Sequence, residues 1–120
     1  MTESQIEKSL NDLNSLVLSG KALEAFDKYY HNDVEMQENS QPGTKGKAAN
    51  RLREIEFLGN VTEFRGASVE GMAINGSASF VIWSYDYTHK EWGVMTYTQV
   101  SVQQWKDGKI INEKFIYSNN

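Results

Sequence analysis

Two glutamates stand where a carboxylate could carry out acid–base chemistry. Glu38 lies in the stretch VEMQEN, and the alternation of side chains along a strand places it on the same side as Val34 and Met36. Glu113 lies on the more apolar side of the last predicted strand, and its companions on that side are Ile111, Phe115 and Tyr117. Burial favours the neutral form of a carboxyl group. Either glutamate could therefore have a raised pKa suited to general acid or base catalysis near neutral pH.

Aromatic and polar side chains of the neighbouring strands could hold a small ligand. Alternation along SASFVIWSYDYTH and EWGVMTYTQVSVQQW places an aromatic and amide set on one face of the sheet. With the end of the last strand, the predicted ligand-binding residues are Trp83, Tyr85, Tyr97, Gln99, Ser101, Gln103, Phe115 and Tyr117. Buried tyrosine and tryptophan need partners for their polar atoms, so this pattern favours a lined pocket for a small organic molecule.

The same residues are also compatible with an ordinary protein core. Glu38 is close to the Pro42-Gly43 turn and could be solvated there. Glu113 could belong to a satisfied buried network, in which its partners would be Gln99, Gln103 or Tyr97. Catalytic carboxylates and structural carboxylates are therefore both open interpretations.

Other chemistries lack the residues that they need. The chain has no cysteine, which excludes disulfides, thiolate metal sites and cysteine nucleophiles. His31 and His89 have no ligand-spaced partner, so no metal site is predicted and surface positions are expected for both. Ser84 and Ser101 have no histidine patterned as in a hydrolase triad. The nine glycines are scattered singly, so neither a phosphate loop nor a nucleotide cofactor is predicted.

Length and charge limit the class of protein further. The 120 residues are expected to form one domain, residues 1–120, with its own core. A net charge of −4 and a pI near 5.1 argue against a nucleic-acid partner, which needs a clustered positive surface. No apolar run approaches the thickness of a bilayer, and the polar N-terminus has no signal-peptide core. A cytoplasmic protein without a membrane partner is therefore expected.

Hydrophobic periodicity predicts three helices, with one strand among them, followed by four antiparallel strands. The first helix is expected to begin with a capping box of Ser4 and Glu7, and the second to cover KALEAFDKYY. Thr44 is the predicted cap of the third helix. Its predicted inner stripe is Ala48, Leu52 and Ile55. The four later strands are predicted at residues 61–74, 77–89, 92–105 and 109–117, in an α+β fold whose curved sheet wraps around the helices.

The outer face of the predicted sheet is also partly apolar. Its apolar residues on the two central hairpin strands are Phe80, Ile82, Val94, Val100 and Val102. A sheet with helices on one face and apolar residues on the other usually has a partner, so a homodimer through the convex face is predicted. The alternative is that these are isolated exposed apolar residues, which need no partner.

The order helix, helix, strand, broken loop, helix and four antiparallel strands resembles the cone-shaped nuclear transport factor 2-like superfamily, and within it the SnoaL-like and ketosteroid-isomerase-like branch. KALEAFDKYYHNDVEMQENSQPGTKGKAA is similar to the family's second helix, first strand and glycine-bounded loop, and WKDGKIINEKFIYS is similar to its closing hairpin. The resemblance covers almost the whole chain. It implies three N-terminal helices packed in a strongly curved, mostly antiparallel sheet, whereas activity has to be argued from the site.

The resemblance also implies a role for Glu38. In ketosteroid-isomerase-like members, a carboxylate near the end of the first strand projects into the cone and shuttles a proton, and Glu38 falls on that position. The oxyanion-stabilising pair of those enzymes has no counterpart, since Leu13 and Ser101 occupy its positions. The arginine between two aspartates of limonene-epoxide hydrolases is not visible either, because Arg65 is the only arginine after the third helix.

Two hypotheses follow for the function. The first is a SnoaL-like protein that binds a small organic molecule and acts as an isomerase, cyclase or dehydratase, with Glu38 and Glu113 as catalytic carboxylates. The second is a non-catalytic ligand-binding or dimerisation module, in which the carboxylates belong to a satisfied polar network. Loss of a carboxylate would abolish turnover under the first hypothesis, and would change only affinity or stability under the second.

Overall fold

Three helices and six strands make up the computed structural model, which describes residues 1–118. In chain order the elements are α1 (Glu3–Leu18), α2 (Ala22–Tyr29), β1 (Tyr30–Glu38), β2 (Thr44–Lys45), α3 (Lys47–Gly59), β3 (Val61–Asn75), β4 (Ala78–His89), β5 (Gly93–Lys106) and β6 (Lys109–Tyr117). The helices and the four long strands lie close to their predicted positions. None of the helices in this described part of the chain has the length and apolar character needed to cross a membrane.

The strands form one mixed sheet that bends around the helices. Their order is β2-β1-β6-β5-β4-β3, with β1 parallel to β6 and the other neighbouring pairs antiparallel. Three register shifts interrupt the pairing of β3 with β4, and irregularities of this kind bend a strand and increase its twist. The result is the predicted cone-shaped α+β fold, in which the sheet remains open and the helices pack on its concave face.

The hydrophobic core lies between α1, α2 and the concave face of the sheet. Its buried members are Ile6, Leu10, Leu13, Ala25, Phe26, Tyr29, Tyr30, Val34, Met36, Val81, Trp83, Trp105 and Ile110. Burial of a large apolar side chain contributes about 1.5–3 kcal/mol, so this cluster holds the first two helices firmly against the sheet.

Both predicted helix caps differ from the observed ones. α1 begins at Thr2: the Gln5 amide donates to Thr2 Oγ1 at 3.1 Å, and the Thr2 amide donates to Gln5 Oε1 at 2.8 Å. The predicted Ser4–Glu7 box is therefore wrong, although Thr2 and Gln5 fit the same pattern two residues earlier. Thr44 belongs to β2, and α3 is preceded by Gly46, whose φ of 96° is one that glycine adopts without strain.

The predicted inner stripe of α3 is also wrong. Leu52 is 68% exposed, and Ala48 and Ile55 are exposed as well. The buried residue of this helix is Asn50, and Glu54 and Phe57 continue its half-buried face at helical spacing. The inner face of α3 therefore carries two polar residues, Asn50 and Glu54, beside Phe57, whereas the apolar residues Leu52 and Ile55 are exposed.

Asn50 holds the start of α3 against the first strand. It is 1% exposed, and its Nδ2 lies 2.9 Å from the carbonyl oxygens of Thr44 and Gly46 and 3.4 Å from that of Val34. Carbonyl groups that are buried without a donor are destabilising. The Asn50 side chain adds a donor at these groups, which an apolar residue on the same face could not do. The carbonyls of Val34 and Gly46 also accept from the backbone amides of Gly46 at 2.8 Å and Asn50 at 3.2 Å.

A bulge in β6 changes which isoleucine faces the core. Gln104 of β5 pairs with Asn112 whereas Trp105 pairs with Ile110, so Ile111 has no opposite residue on β5. The inward position predicted for Ile111 is taken by Ile110, which is fully buried. Beyond the bulge the predicted alternation holds, and Glu113 faces inward.

Candidate functional site

The concave face presents its side chains in rows that cross the strands. The innermost polar row joins Ser79, Gln103, Glu113 and Met36, which lie opposite one another on β4, β5, β6 and β1; these four are called the Glu113 row below. The next row contains Val81, Ser101, Phe115 and Glu38, followed by Trp83, Gln99 and Tyr117, and then by Tyr85 and Tyr97. All eight predicted ligand-binding residues therefore share the concave face, as alternation predicts.

Exposure increases from the Glu113 row toward the mouth of the cone. The four residues of the Glu113 row are at most 3% exposed. The predicted ligand-binding residues that are only half-buried are Tyr85, Tyr97, Phe115 and Tyr117. Aromatic residues therefore lie between solvent and the buried polar row.

Glu113 is the one buried carboxylate in the described part of the chain. It is 2% exposed, and both of its oxygens accept hydrogen bonds. Gln103 Nε2 donates to Oε2 at 2.8 Å, and the Tyr30 hydroxyl donates to Oε1. Gln103 is among the partners that the sequence predicts, whereas Tyr30 is not.

A chain of hydrogen bonds behind Glu113 has a fixed direction. The Trp105 indole N–H donates to Ser79 Oγ at 2.8 Å, and Ser79 Oγ donates to Gln103 Oε1 at 2.6 Å. Because an indole N–H can only donate, Ser79 Oγ accepts this hydrogen bond and donates its own O–H to Gln103 Oε1. The Gln103 amide is thereby oriented with its NH₂ group toward Glu113. The Gln103 NH₂ group is therefore held in position to donate to the Glu113 carboxylate.

Opposing effects set the pKa of Glu113. Burial is the larger effect, and it raises the pKa from 4.5 to about 7. The hydrogen bonds from Tyr30 and Gln103 stabilise the charged form and lower the pKa, while the charge of Glu54 raises it. The carboxyl group is therefore divided between its acid and carboxylate forms near neutral pH, where one group can both take and return a proton.

Sequence reasoning missed Tyr30 and Glu54. Periodicity assigns Tyr30 to α2, but it is the first residue of β1, where its ring stacks on Phe26 with centroids 4.7 Å apart. Glu54 lies on the half-buried face of α3, and burial raises its pKa. Its charge also acts on the pKa of Tyr30 and of Glu113. The spacing of Asn50, Glu54 and Phe57 is the sequence feature that could have revealed this polar helix face.

Glu38 lies at the rim of the cone, away from the buried network. Its side chain is 45% exposed, and its Oε2 is 3.3 Å from Arg53 Nη2 of α3. In the register of β1 with β6, Glu38 is opposite Phe115, whereas Glu113 is opposite Met36. The two predicted catalytic residues are thus a buried carboxyl and a solvent-accessible ion-paired one.

A series of aromatic rings connects the mouth to the interior. Trp83 stacks on Tyr85 with centroids 5.6 Å apart, and Tyr85 lies 5.7 Å from Tyr97. Tyr97 lies 5.5 Å from Tyr117, and its hydroxyl is 2.8 Å from that of Tyr87. Burial raises the pKa of Tyr85 and of Tyr97, so both remain neutral near pH 7. The rings offer flat apolar faces and hydroxyl groups to a ligand with an aromatic body.

The histidines do not join this site. Contrary to the predicted surface position, His89 is buried at the end of β4, where its Nδ1 accepts from the amides of Glu91 and Trp92 at 3.1 and 3.3 Å. His31 is half-buried and lies 3.9 Å from Asp33. Across residues 1–118, no three histidine, aspartate or glutamate side chains are grouped so that they could hold a metal ion.

The sequence matches a protein-family model over nearly its whole length. The model describes the SnoaL-like domain, and the match spans residues 1–117. The chain belongs to the SnoaL-like family. No curated protein sequence matches this SnoaL-like chain.

Solved structures similar to the SnoaL-like chain share its cone-shaped fold. A candidate SnoaL-like polyketide cyclase from Mesorhizobium loti is 30% identical at a TM-score of 0.84, with 96% of this chain and 98% of that chain covered. Bal32a, from a soil-derived mobile gene cassette, is 11% identical at a TM-score of 0.82, covering 98% and 93% of the two chains. An LEH-like epoxide hydrolase from Mycobacterium tuberculosis is 11% identical at 0.77, covering 96% and 84%. The last two likenesses show the fold alone.

Proposed function

We propose that this SnoaL-like protein binds a small organic molecule in its cone and transfers a proton on it, with Glu113 as general acid and base. The observation that carries the proposal is a buried carboxyl group with a pKa of about 7 on the concave face that also carries a series of aromatic rings. The reaction class is that of an isomerase, cyclase or dehydratase, in which one group takes a proton from carbon and returns it elsewhere. Similarity to a candidate polyketide cyclase supports this class.

The partners of Glu113 suit a group that changes its protonation state. A protonated Glu113 needs an acceptor for its new O–H, and a tyrosine hydroxyl can accept whereas an amide NH₂ cannot. Tyr30 can therefore reverse its hydrogen bond to Glu113, while Gln103 continues to donate to the other oxygen. Burial and the charge of Glu113 raise the pKa of Tyr30, so its phenol stays neutral throughout.

Glu38 is a second candidate for the catalytic residue. The resemblance to ketosteroid-isomerase-like proteins puts it at the position of their proton-shuttling carboxylate. Its side chain is accessible at the rim and lies 3.3 Å from Arg53 Nη2, so a ligand at the mouth could reach it. The rim position suits a carboxylate that acts on the part of the ligand nearest the mouth. Substitution of each glutamate in turn distinguishes these roles.

Deuterium exchange into a bound ligand tests the proposal. A panel of aryl ketones, with neutral and amine-bearing members, would first be screened for binding by ligand-observed NMR. For a binder, wild-type protein in D₂O is expected to accelerate exchange of the C–H next to the carbonyl. Glu113→Gln is expected to slow this exchange about a hundredfold with affinity retained, because general acid–base catalysis contributes about 10²–10⁴-fold.

Glu38→Gln is the matched variant for this experiment, since it makes the same chemical change at the rim. We expect it to keep most of the exchange rate. If Glu38→Gln abolishes exchange and Glu113→Gln leaves it intact, Glu38 is the base and the assignment to Glu113 is wrong. If no bound ketone exchanges faster than it does in buffer, proton transfer is excluded for this ligand class.

One observation favours a non-catalytic alternative. Both oxygens of Glu113 are already hydrogen-bonded, and the chain from Trp105 through Ser79 and Gln103 satisfies each member. Satisfied networks also perturb carboxyl groups in sites that do no chemistry. In that case, Glu113→Gln would alter ligand affinity or stability, and no ligand would be transformed.

We also propose that the protein forms a homodimer through the outer face of the sheet. Ile82, Val100 and Ile116 lie opposite one another on β4, β5 and β6, and form a row across that face. Ile82 is 40% exposed and Ile116 is 45% exposed in the single chain. Phe80 and Val102 lie beside this row, so the exposed apolar residues are contiguous, as in a contact surface.

A charge introduced into this row tests the dimer. Sedimentation velocity at micromolar concentration should show a dimer for wild-type protein and a monomer for Ile82→Glu, because an unpaired carboxylate is costly at an interface. Leu52→Glu is the control, since it places the same charge at an exposed apolar position on α3. A monomeric wild-type protein would contradict the proposal.

A further inference from the structure

The charges inside the cone are all of one sign. In the described part of the chain, Glu113 is the only buried ionisable residue besides tyrosine and histidine, and no lysine or arginine is buried. Glu54 adds a second, half-buried carboxyl that acts on Glu113 through its charge. A ligand that reaches the Glu113 row therefore meets a buried carboxyl group and no buried lysine or arginine among the described residues.

The arginines nearest the cone are engaged at its surface. Arg53 pairs with Glu38 at the rim, and Arg51 pairs with Asp27 of α2 at 2.8 Å. Both arginines are more than 40% exposed at the side chain. The charge of Arg53 lowers the pKa of Glu54, whereas the charge that acts on the pKa of Glu113 is that of Glu54.

The aromatic rings are suited to a positive charge as well as to an apolar body. Trp83, Tyr85, Tyr97 and Tyr117 form a connected series of ring contacts at 5.5–5.7 Å. A cation over the face of tryptophan or tyrosine is stabilised by the ring quadrupole, more strongly where water is excluded. Tyr85 of this series is close enough to Glu113 and Glu54 for their charges to raise its pKa. Ring faces and negative charge therefore act in the same direction.

We infer that the ligand of the cone is a small aromatic cation, held by Glu113 and Glu54 and by the faces of the tryptophan and tyrosine rings. This inference rests on the proposed small-molecule function and specifies its ligand class. The carboxylates attract the positive group, the rings cover its aromatic body, and anionic ligands are repelled. Neutral ligands of the same shape lose the electrostatic part of the attraction.

Cation binding should depend on pH in a defined direction. The groups that face Glu113 are Tyr30 of β1, Tyr85 of β4, Glu54 of α3 and the uncharged Gln103 of β5. The phenols stay neutral between pH 6 and 8, so the carboxyl groups are the members that titrate. A cation binds their ionised form, and affinity therefore rises as pH increases through the pKa of Glu113.

Three benzyl compounds of similar shape test the inference with the wild-type chain. Benzylamine, which is protonated throughout this range, benzyl alcohol and benzoate would be titrated while the Trp83 indole and Gln103 amide signals are followed by NMR. We expect benzylammonium to bind at least tenfold more tightly than benzyl alcohol, and benzoate to bind most weakly. From pH 6 to 8 its affinity should rise roughly tenfold, as the ionised fraction of a group with a pKa of about 7 does.

Two glutamates of α3 provide a matched pair of variants. Glu54→Gln and Glu56→Gln make the same chemical change two residues apart, but Glu54 is half-buried toward the cone and Glu56 is exposed. We expect Glu54→Gln to weaken benzylammonium binding several-fold and Glu56→Gln to leave it unchanged. Glu113→Gln should remove both the preference for the cation and the pH dependence.

The possible outcomes separate this inference from the proposed function. If benzyl alcohol binds as tightly as benzylammonium at every pH, or benzoate binds best, the cation inference is wrong while binding in the cone stands. If none of the three compounds shifts the Trp83 or Gln103 signals at millimolar concentration, the inference is also wrong. The deuterium-exchange experiment tests the proposed function independently, because its panel of aryl ketones includes neutral ligands.

Discussion

Ionisation of Glu113 is expected to lower the unfolding free energy of the wild-type protein by roughly 3 kcal/mol as pH rises from 4.5 to above 7, and Glu113→Gln is expected to remove that contribution. In the unfolded chain Glu113 ionises near its ordinary pKa of 4.5, whereas in the folded protein it ionises near 7. Between these values the folded state binds more protons than the unfolded state, so stability falls with increasing pH. Below pH 4.5 both states are protonated and the contribution is fully present.

Urea denaturation at pH 5, 6, 7 and 8 measures this effect. The glutamine of Glu113→Gln can accept from Gln103 with its oxygen and donate its NH₂ to the Tyr30 hydroxyl. It is always neutral, so the advantage of the variant over wild type should grow with pH. Glu56→Gln, which changes an exposed carboxylate, should follow the wild-type curve closely. Parallel pH profiles for wild type and Glu113→Gln would mean that burial does not raise the pKa of Glu113.

Asn50→Ala is expected to destabilise the protein by about 2–4 kcal/mol, whereas Leu52→Ala should change stability by less than about 0.5 kcal/mol. The first substitution removes a side-chain donor to the carbonyl oxygens of Thr44, Gly46 and Val34, and it leaves a void where a 1% exposed side chain stood. The second shortens a side chain that is 68% exposed. Both positions are within one turn of the same helix, so differences in helix propensity contribute little.

The two variants also test the orientation of α3 directly. If hydrophobic periodicity had identified the inner face, Leu52→Ala would be the costly substitution and Asn50→Ala the mild one. Chemical denaturation of both variants at one pH is sufficient to decide. Equal losses for the two would contradict the orientation in which Asn50 faces the interior.

The strand faces could be predicted where strands pair without interruption. β4 and β5 pair residue by residue from Ala78 with Gln104 to His89 with Gly93, so simple alternation placed Trp83, Tyr97 and Gln103 correctly on the concave face. β6 contains one extra residue at the bulge, and alternation carried through that point assigned Ile111 instead of Ile110 to the core. A bulge changes the face of neighbouring residues without a distinctive sequence pattern.

The polar face of α3 could not be predicted from hydrophobicity. A rule that turns the apolar stripe inward assumes that the helix covers an apolar core. α3 covers carbonyl groups at its start and a polar interior beyond it, so Asn50 and Glu54 face the cone while Leu52 and Ile55 face outward. Glu54 was therefore not predicted as a site residue, whereas the strand pattern alone identified Glu113.

Tyr30 shows a third limit of sequence reasoning. Its place in KALEAFDKYY fits the stripe of a helix, but the chain enters β1 at this residue and the register then shifts before Glu35. The hydroxyl that reaches Glu113 comes from a residue 83 positions earlier in the chain. Contacts at such separation are specified by the assembled fold, and local patterns contain no information about them.

The series of hydrogen bonds that runs from Trp105 through Ser79 and Gln103 to Glu113 couples four positions of the sequence, so we expect substitutions at them to depend on one another. Replacing Ser79 by alanine would free the Gln103 amide to turn over, and a turned amide would present its oxygen to a carboxylate. The effect of a substitution at any one of these positions therefore depends on what occupies the other three, and the changes would not be additive. Relatives that replace Glu113 by a neutral residue are expected to have altered the whole chain, from the indole donor to the last acceptor, in concert.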